Sequence, residues 1–218
     1  VKNKYIDRYL KFQCSDQLQG LFSQSANPWK EITESMGAWA NIKDLIDPQD
    51  KNHAYICVGD GSLCLTGALF AFLTKSQCVS IDPIVNDIKM MTWLQRERVE
   101  RLKWYRKRYQ DTAGVIPDGC KSYDLILVHA HVNLEDLIKH FPNFRYLYSN
   151  VCCNPQEQTF SIQSLNDNNI SVVKAGYDKA NASPENMIFL YKNNNFVTPE
   201  IDADAYEDEV DKYESIPF

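Results

Sequence analysis

The stretch Ala54 to Pro83, AYICVGDGSLCLTGALFAFLTKSQCVSIDP, most constrains what this chain can fold into. An apolar run, Tyr55-Ile56-Cys57-Val58, meets the turn Gly59-Asp60-Gly61. An amphipathic stretch from Leu63 to Thr74 follows, and then a second short apolar run ends on an acid, Val79-Ser80-Ile81-Asp82. The order is strand, glycine turn, helix, strand, carboxylate, which predicts a βαβ unit. Glycines let the backbone leave the strand sharply and approach a ligand closely, and the helix that follows offers N–H groups at its start. An acid at the end of the next strand, about 20 residues on, stands where a ribose diol is hydrogen-bonded. The unit therefore predicts a cofactor that contains a nucleoside.

A dinucleotide fingerprint needs G-x-G-x-x-G, and Cys64 holds the third glycine position. The stretch instead resembles the first motif of the class I S-adenosylmethionine-dependent methyltransferases, in which a strand runs into a G-x-G turn and an acid ends strand two. That resemblance implies S-adenosylmethionine as cofactor, with Gly59, Asp60, Gly61 and Ser62 against its methionine part and Asp82 on its ribose. Two positions depart from the motif: Cys57 replaces an acid and Leu63 replaces a glycine. Both favour the alternative, a catalytically silent methyltransferase-fold scaffold or an interaction module. A Rossmann-type nucleotide binder of another chemistry is the third reading.

The 218 residues suffice for one substantial core. A net charge of −6 argues against a protein that coats nucleic acid over its whole surface, but not against a local basic patch. No apolar run reaches the length of a membrane span. Seven cysteines, an odd number without a C-x-x-C pair, predict reduced thiols and an intracellular, cytoplasmic or nuclear setting. The chain begins at Val1, which predicts a domain excised from a longer protein with upstream targeting left open.

Residues 1–50 predict a helical extension, with Tyr5, Tyr9 and Phe12, then Leu18, Leu21 and Phe22, and then Ile32, Met36, Trp39 and Ile42 at helical spacing. Methyltransferase-like chains place such helices over the cofactor cleft; the alternative is a cover for a sheet edge. Residues 51–195 predict the main domain. Pro83 to Glu97 is patterned as a helix, Val99 to Tyr109 as a strand with a continued helix (Val99, Leu102, Tyr105, Tyr109) as the alternative, and Tyr123 to Val132 as the clearest buried strand. Asn133 caps a short helix ending at Phe141, and Phe144 to Cys153 makes the next strand. A helix over Gln158 to Leu165 and strands Ile170 to Ala175 and Met187 to Tyr191 complete an α/β fold. The expected sheet is doubly wound, mostly parallel and of about seven strands. Residues 196–218 form an acidic tail with Tyr206, Tyr213 and Phe218 as anchors for a partner or for the chain itself.

In open α/β sheets the ligand sits beyond the carboxyl ends of the strands. His129 and His131, two apart near a strand end, are the expected catalytic pair, and a neutral imidazole there takes a proton from an N–H or O–H acceptor. D/N-P-P-Y, a Pro-Cys nucleophile and a Lys-Asp-Lys-Glu tetrad are all absent; Lys174 and Glu185 fall on late elements, and the histidine pair stands at the end of the fourth strand in place of the tetrad's aspartate. The two histidines and Cys152-Cys153 are ligand types for zinc, but they lack the paired short spacings of a tetrahedral site, and no metal is expected. The run from Arg96 to Tyr109 mixes cations with aromatic rings, which suits RNA, while Glu97 and Glu100 dilute its charge and favour a solvated face. Arg101, Lys103, Arg106 and Arg108 are its candidate contacts. The partner expected is RNA, or a protein in a larger assembly.

Overall fold

The computed structural model describes residues 2–112, 115–152 and 154–197. Cys153, the loop residues Ala113-Gly114 and nearly all of the acidic tail lie outside the described residues.

The chain opens with three helices, α1 (Lys4–Tyr9), α2 (Ser15–Phe22) and α3 (Pro28–Ile42). Asn27 caps α3, its Oδ1 accepting from the Lys30 N–H, and Pro28 occupies the first turn, where no amide is needed. Then come β1 (His53–Val58), α4 (Leu65–Leu73), β2 (Gln77–Ile81), α5 (Asp87–Glu97) and β3 (Leu102–Tyr105). The second half runs β4 (Ser122–Val128), α6 (Leu134–His140), β5 (Tyr146–Asn150), α7 (Ile162–Asp167), β6 (Ile170–Tyr177) and β7 (Met187–Asn193). The sheet order is β3-β2-β1-β4-β5-β7-β6, with β7 antiparallel to both of its neighbours and every other pairing parallel.

Strand β1 is buried along its whole length because both faces of the sheet are covered. Its side chains alternate between two cores. Tyr55 and Cys57 join the one built with α1 to α5, while Ala54, Ile56 and Val58 join the one under α6. The N-terminal helices thus lie on a face of the sheet and not along an edge: α3 packs on α4, β4 and β5. They are tied to the loop after β6 by Tyr5 Oη donating to Asp178 Oδ2 (2.5 Å) and by the Ala182 N–H donating to Thr33 Oγ1 (2.9 Å). No helix among the described residues is long and apolar enough to cross a membrane.

Several boundaries differ from the sequence reading; α5 begins at Asp87 and not at Pro83, and β5 is confined to Tyr146–Asn150. The strand expected over 99–109 shrinks to Leu102–Tyr105. The helix expected at 158–165 begins at Ile162, where the Ser161 hydroxyl caps the Ser164 N–H. The strand expected to reach Val132 stops at Val128, since His129 turns to a left-handed φ of 51°.

Away from the carboxyl ends of the strands, a charged cluster is buried at the start of β1 and β4. Asp124 accepts from Arg145 through both oxygens (3.2 and 3.0 Å), contacts His53 Nε2 (3.1 Å), and accepts from the Tyr146 N–H (3.0 Å). Burial opposes its ionisation, but His53 and Arg145 prevail and hold the carboxyl below the usual aspartate range.

Candidate functional site

The chain leaves β1 toward β2 and β3 on one side, and β4 leads to β5 on the other, so the strand order reverses between β1 and β4. A cleft of about 740 Å³ opens there, within the size range of small-molecule sites. Val58, Gly59 and Gly61 line it from the first turn, and Ile81, Asp82 and Pro83 from the end of β2. Lys107, Arg108, Tyr109 and Gln110 form another wall, while His129, His131, Val132, Asn133 and Asp136 close it from the β4–α6 side.

Both turn glycines have positive φ, 71° at Gly59 and 69° at Gly61, where any side chain is strained. Their surroundings differ. A Cβ on Gly59 would lie 2.6 Å from Ala130 Cβ, so this glycine admits the β4–α6 loop. A Cβ on Gly61 would meet nothing within 4 Å, so its backbone lies open to a ligand.

Asp82 is buried to 8% exposure and still borders the cleft. Its Oδ2 accepts from the Gly61 N–H (3.0 Å) and its Oδ1 from the Ile84 N–H (2.9 Å). A carboxylate has about four acceptor sites, so roughly two remain for hydroxyls in the cleft. The two backbone bonds also hold the glycine turn against the end of β2.

Asp60 is placed elsewhere. The residue is half-buried, but its carboxyl turns inward to α4, accepting from the Thr66 and Gly67 N–H groups (both 2.9 Å) and the Ser80 hydroxyl (2.7 Å). Cys64, which precedes α4 at a left-handed φ of 49°, makes no side-chain cap, and Asp60 supplies one from four residues upstream. Burial pushes its pKa up to about 6 against the lowering effect of these bonds. Ser62 is exposed and does not line the cleft; its carbonyl accepts from the Asn86 N–H (2.8 Å).

The two histidines both reach the cleft, but on an irregular segment and with different neighbours. The His129 N–H donates to the Asn150 carbonyl (3.1 Å), and Nε2 lies 2.9 Å from Glu34 Oε1 on α3. His131 turns toward Cys152, with Nε2 3.6 Å from Sγ. Among the described residues no group of three or more His, Cys, Asp or Glu side chains could hold a metal ion.

The basic run divides by position. Arg101 precedes β3, at the end opposite the cleft, and its Nη2 donates to the Ala71 carbonyl (2.9 Å) in the last turn of α4. Lys103 is exposed on β3, and Arg106 pairs with Asp87 (3.6 Å). Of the run's cations only Lys107 and Arg108 line the cleft, beside Tyr109.

Sequence reasoning missed Asp136 and Glu34, and took Tyr109 only as a ring of the basic run. Tyr109 Oη donates to Asp136 Oδ2 (2.7 Å) and Gln110 Nε2 to the same oxygen (3.2 Å), which straps the loop after β3 onto α6. The spacing of Asp136 three residues after the Asn133 cap was the available signal. Glu34 had none, because Lys30 and Glu34 at i,i+4 look like a solvated helix pair.

Neither a protein-family model nor a curated protein sequence matches this chain. Solved structures do. The fold is similar to that of geranyl diphosphate C-methyltransferase from Streptomyces coelicolor A3(2), solved with Mg²⁺, geranyl diphosphate and S-adenosyl-L-homocysteine. The TM-score is 0.54 at 10% identity, over 87% of this chain and 96% of that one. A protein of Pyrococcus horikoshii, provisionally described as an RNA methyltransferase, matches with TM-score 0.53 and 11% identity over 84% of this chain and 98% of its own. Fibrillarin from Aeropyrum pernix, with natively bound S-adenosyl-L-methionine, gives TM-score 0.50 at 12% identity, over 75% of this chain and 76% of that one. At these identities the likeness is one of fold.

Proposed function

We propose that this chain, whose fold is that of the class I S-adenosylmethionine-dependent methyltransferases, binds S-adenosylmethionine in the cleft between β1, β2 and β4 and passes its methyl group to an RNA acceptor. The observation that carries the cofactor part is how the donors around the glycine turn are used. A dinucleotide or other phosphate ligand needs open N–H groups at the start of the helix. Here Asp60 already takes the Thr66 and Gly67 amides and adds a carboxylate there, which disfavours a pyrophosphate. What remains open is a nucleoside site without a phosphate cradle: the bare face of Gly61, the spare acceptor sites of Asp82, and the apolar walls of Val58, Ile81, Pro83 and Val132.

The residues present fit the cofactor. Asp82 would hold the ribose diol, the apolar walls would enclose the adenine, and the Gly59–Gly61 turn would lie along the rest. S-adenosylmethionine supplies an electrophilic methyl group on a sulfonium sulfur. The chain aligns the acceptor against that methyl, excludes water and, for an O–H or N–H acceptor, removes a proton at His129. Lys107 and Arg108 supply positive charge on the opposite wall, the complement of a phosphate backbone.

Calorimetric titration with S-adenosylmethionine and S-adenosylhomocysteine tests the cofactor. Wild type binds both, and Asp82→Ala weakens binding roughly 10- to 150-fold, the equivalent of about 1.5–3 kcal/mol for hydrogen bonds to a charged group. Absence of binding by wild type overturns the cofactor reading and leaves the fold as a scaffold. The RNA part has its own measurement. Affinity for a single-stranded oligonucleotide should fall steeply with salt and fall further in Lys107→Ala/Arg108→Ala; a salt-independent affinity removes RNA from the reading.

A further inference from the structure

Glu34, on α3, reaches the cleft residue His129, and its setting is costly; Glu31 of the same helix is also within electrostatic reach of that ring. The side chain is 2% exposed, in the middle of α3, where the neighbouring Thr33, Ser35 and Met36 are also buried. Taking a carboxylate out of water costs several kcal/mol unless charge compensates it. Lys30 compensates in part, with Nζ 2.9 Å from Oε1. Desolvation works against the ammonium, yet Glu34 holds Lys30 above the ordinary lysine range.

The same oxygen lies 2.9 Å from His129 Nε2. Both atoms are buried, and neither makes an aligned hydrogen bond with any described group, the other included. Two buried acceptors at this distance repel, whereas a proton on Nε2, with a small turn of the ring toward Oε1, satisfies both. The backbone around His129 is set for this approach: its φ of 51° belongs to the left-handed region, uncommon outside glycine, and its N–H is tied to the Asn150 carbonyl. The imidazole also borders the cleft, with its side chain 16% exposed.

We propose that Glu34 is the positioning residue of a Glu34–His129 pair, its buried carboxylate fixing the imidazole with the proton on Nε2 and leaving Nδ1 as the base that serves the cleft. The inference rests on the reading of the cleft as a methyl-transfer site and assigns its acceptor to the O–H and N–H class. The proton on the acceptor oxygen or nitrogen leaves for Nδ1, and the bonding pair stays on the acceptor atom. The positive charge formed on the ring lies against Glu34, which lowers the cost of forming it. A carbon or thiolate acceptor needs no such pair.

The test needs no known acceptor. Histidine-labelled full-length chain is studied by two-bond ¹H–¹⁵N correlation at mildly alkaline pH, with the His129 signals assigned through His129→Asn. Wild type should show protonated Nε2 and bare Nδ1 at His129, and Glu34→Ala should lose that single-tautomer pattern. Carbethoxylation of His129 by diethyl pyrocarbonate, followed by mass spectrometry, should slow about tenfold in Glu34→Ala and recover in part in Glu34→Asp. The proposal fails if wild type carries its proton on Nδ1, a result that stands even where the variants do not fold. It fails equally if carbethoxylation is unchanged or faster in Glu34→Ala. Calorimetry of wild type with S-adenosylhomocysteine keeps the two ideas apart: a fixed tautomer without binding overturns the methyl-transfer reading alone, and binding with the wrong tautomer overturns the pair alone.

Discussion

Asp60 shows how much one carboxylate decides at the level of single residues. The glycine turn was readable in the sequence, because positive φ restricts residue type so strongly that Gly59 and Gly61 announce themselves. Asp60 sits between them and was expected against the ligand, yet it serves α4 instead. Its raised pKa gives this a measurable consequence. A folded-state value of about 6, against an ordinary 3.8, means that the protonated form favours folding. That contribution is complete below the ordinary value and is lost as pH rises through about 6. Asp60→Asn cannot titrate, so the stability of wild type relative to this variant should decline between about pH 4 and pH 6 in thermal melts. A constant difference across that window would show that the carboxyl is not buried as described. Glu34 could not be read from the sequence at all, since its spacing to Lys30 is that of a surface pair and only the packing of α3 on β4 and β5 takes it out of solvent.

At the scale of elements, α4 is placed by a residue that composition alone would mark as a defect. Gly67 sits inside the helix, where alanine would ordinarily gain about 1 kcal/mol. An added Cβ would stand 2.2 Å from Ser80 Oγ and 3.0 Å from Leu102 Cδ1, so the helix lies on β2 only because that carbon is missing. Moving Ser80 would also break its bond to Asp60. Overpacking of about 1–3 kcal/mol together with a stranded buried acceptor of similar cost outweighs the propensity gain. Gly67→Ala should therefore destabilise the chain by about 2 kcal/mol in a denaturant titration; a neutral or stabilising result would mean that α4 can lift off the sheet. The elements themselves were legible where a period persisted, as in β1, α3 and β4. They were least legible near β3, where Leu102, Trp104 and Tyr105 fit a helix as well as a strand. The strand exists there because β2 offers an unpaired edge, which is a tertiary fact. The early end of β4 was equally invisible, since the left-handed turn at His129 comes from the approach of Ala130 to Gly59 and of Glu34 to the ring.

The whole molecule separates its charged groups by end. Asp124, His53 and Arg145 are locked at the amino ends of the strands, while Asp82, His129, Lys107 and Arg108 stand at the carboxyl ends where the cleft opens. The alternation of strands and helices made the doubly wound sheet legible, and the two late strands without a full helix between them marked its antiparallel close. Which of those two lies inside was not read from the sequence, although the unbroken apolar run Met187 to Tyr191, against Ser171 and Lys174 in the other strand, was the available signal. The structure puts β7 inside, between β5 and β6. That placement governs what happens while the chain is being made. A nascent chain that has emerged only as far as β6 holds a strand with nowhere to dock, because the place beside β5 belongs to residues still to be synthesised. Until Met187 to Asn193 arrive, β5 presents a bare edge of unpaired amides and carbonyls, the form of strand most prone to pair with a neighbouring chain. The hairpin then arrives as one unit, so the interval in which the chain has emerged only as far as residues 178–186 leaves that edge open to aggregation.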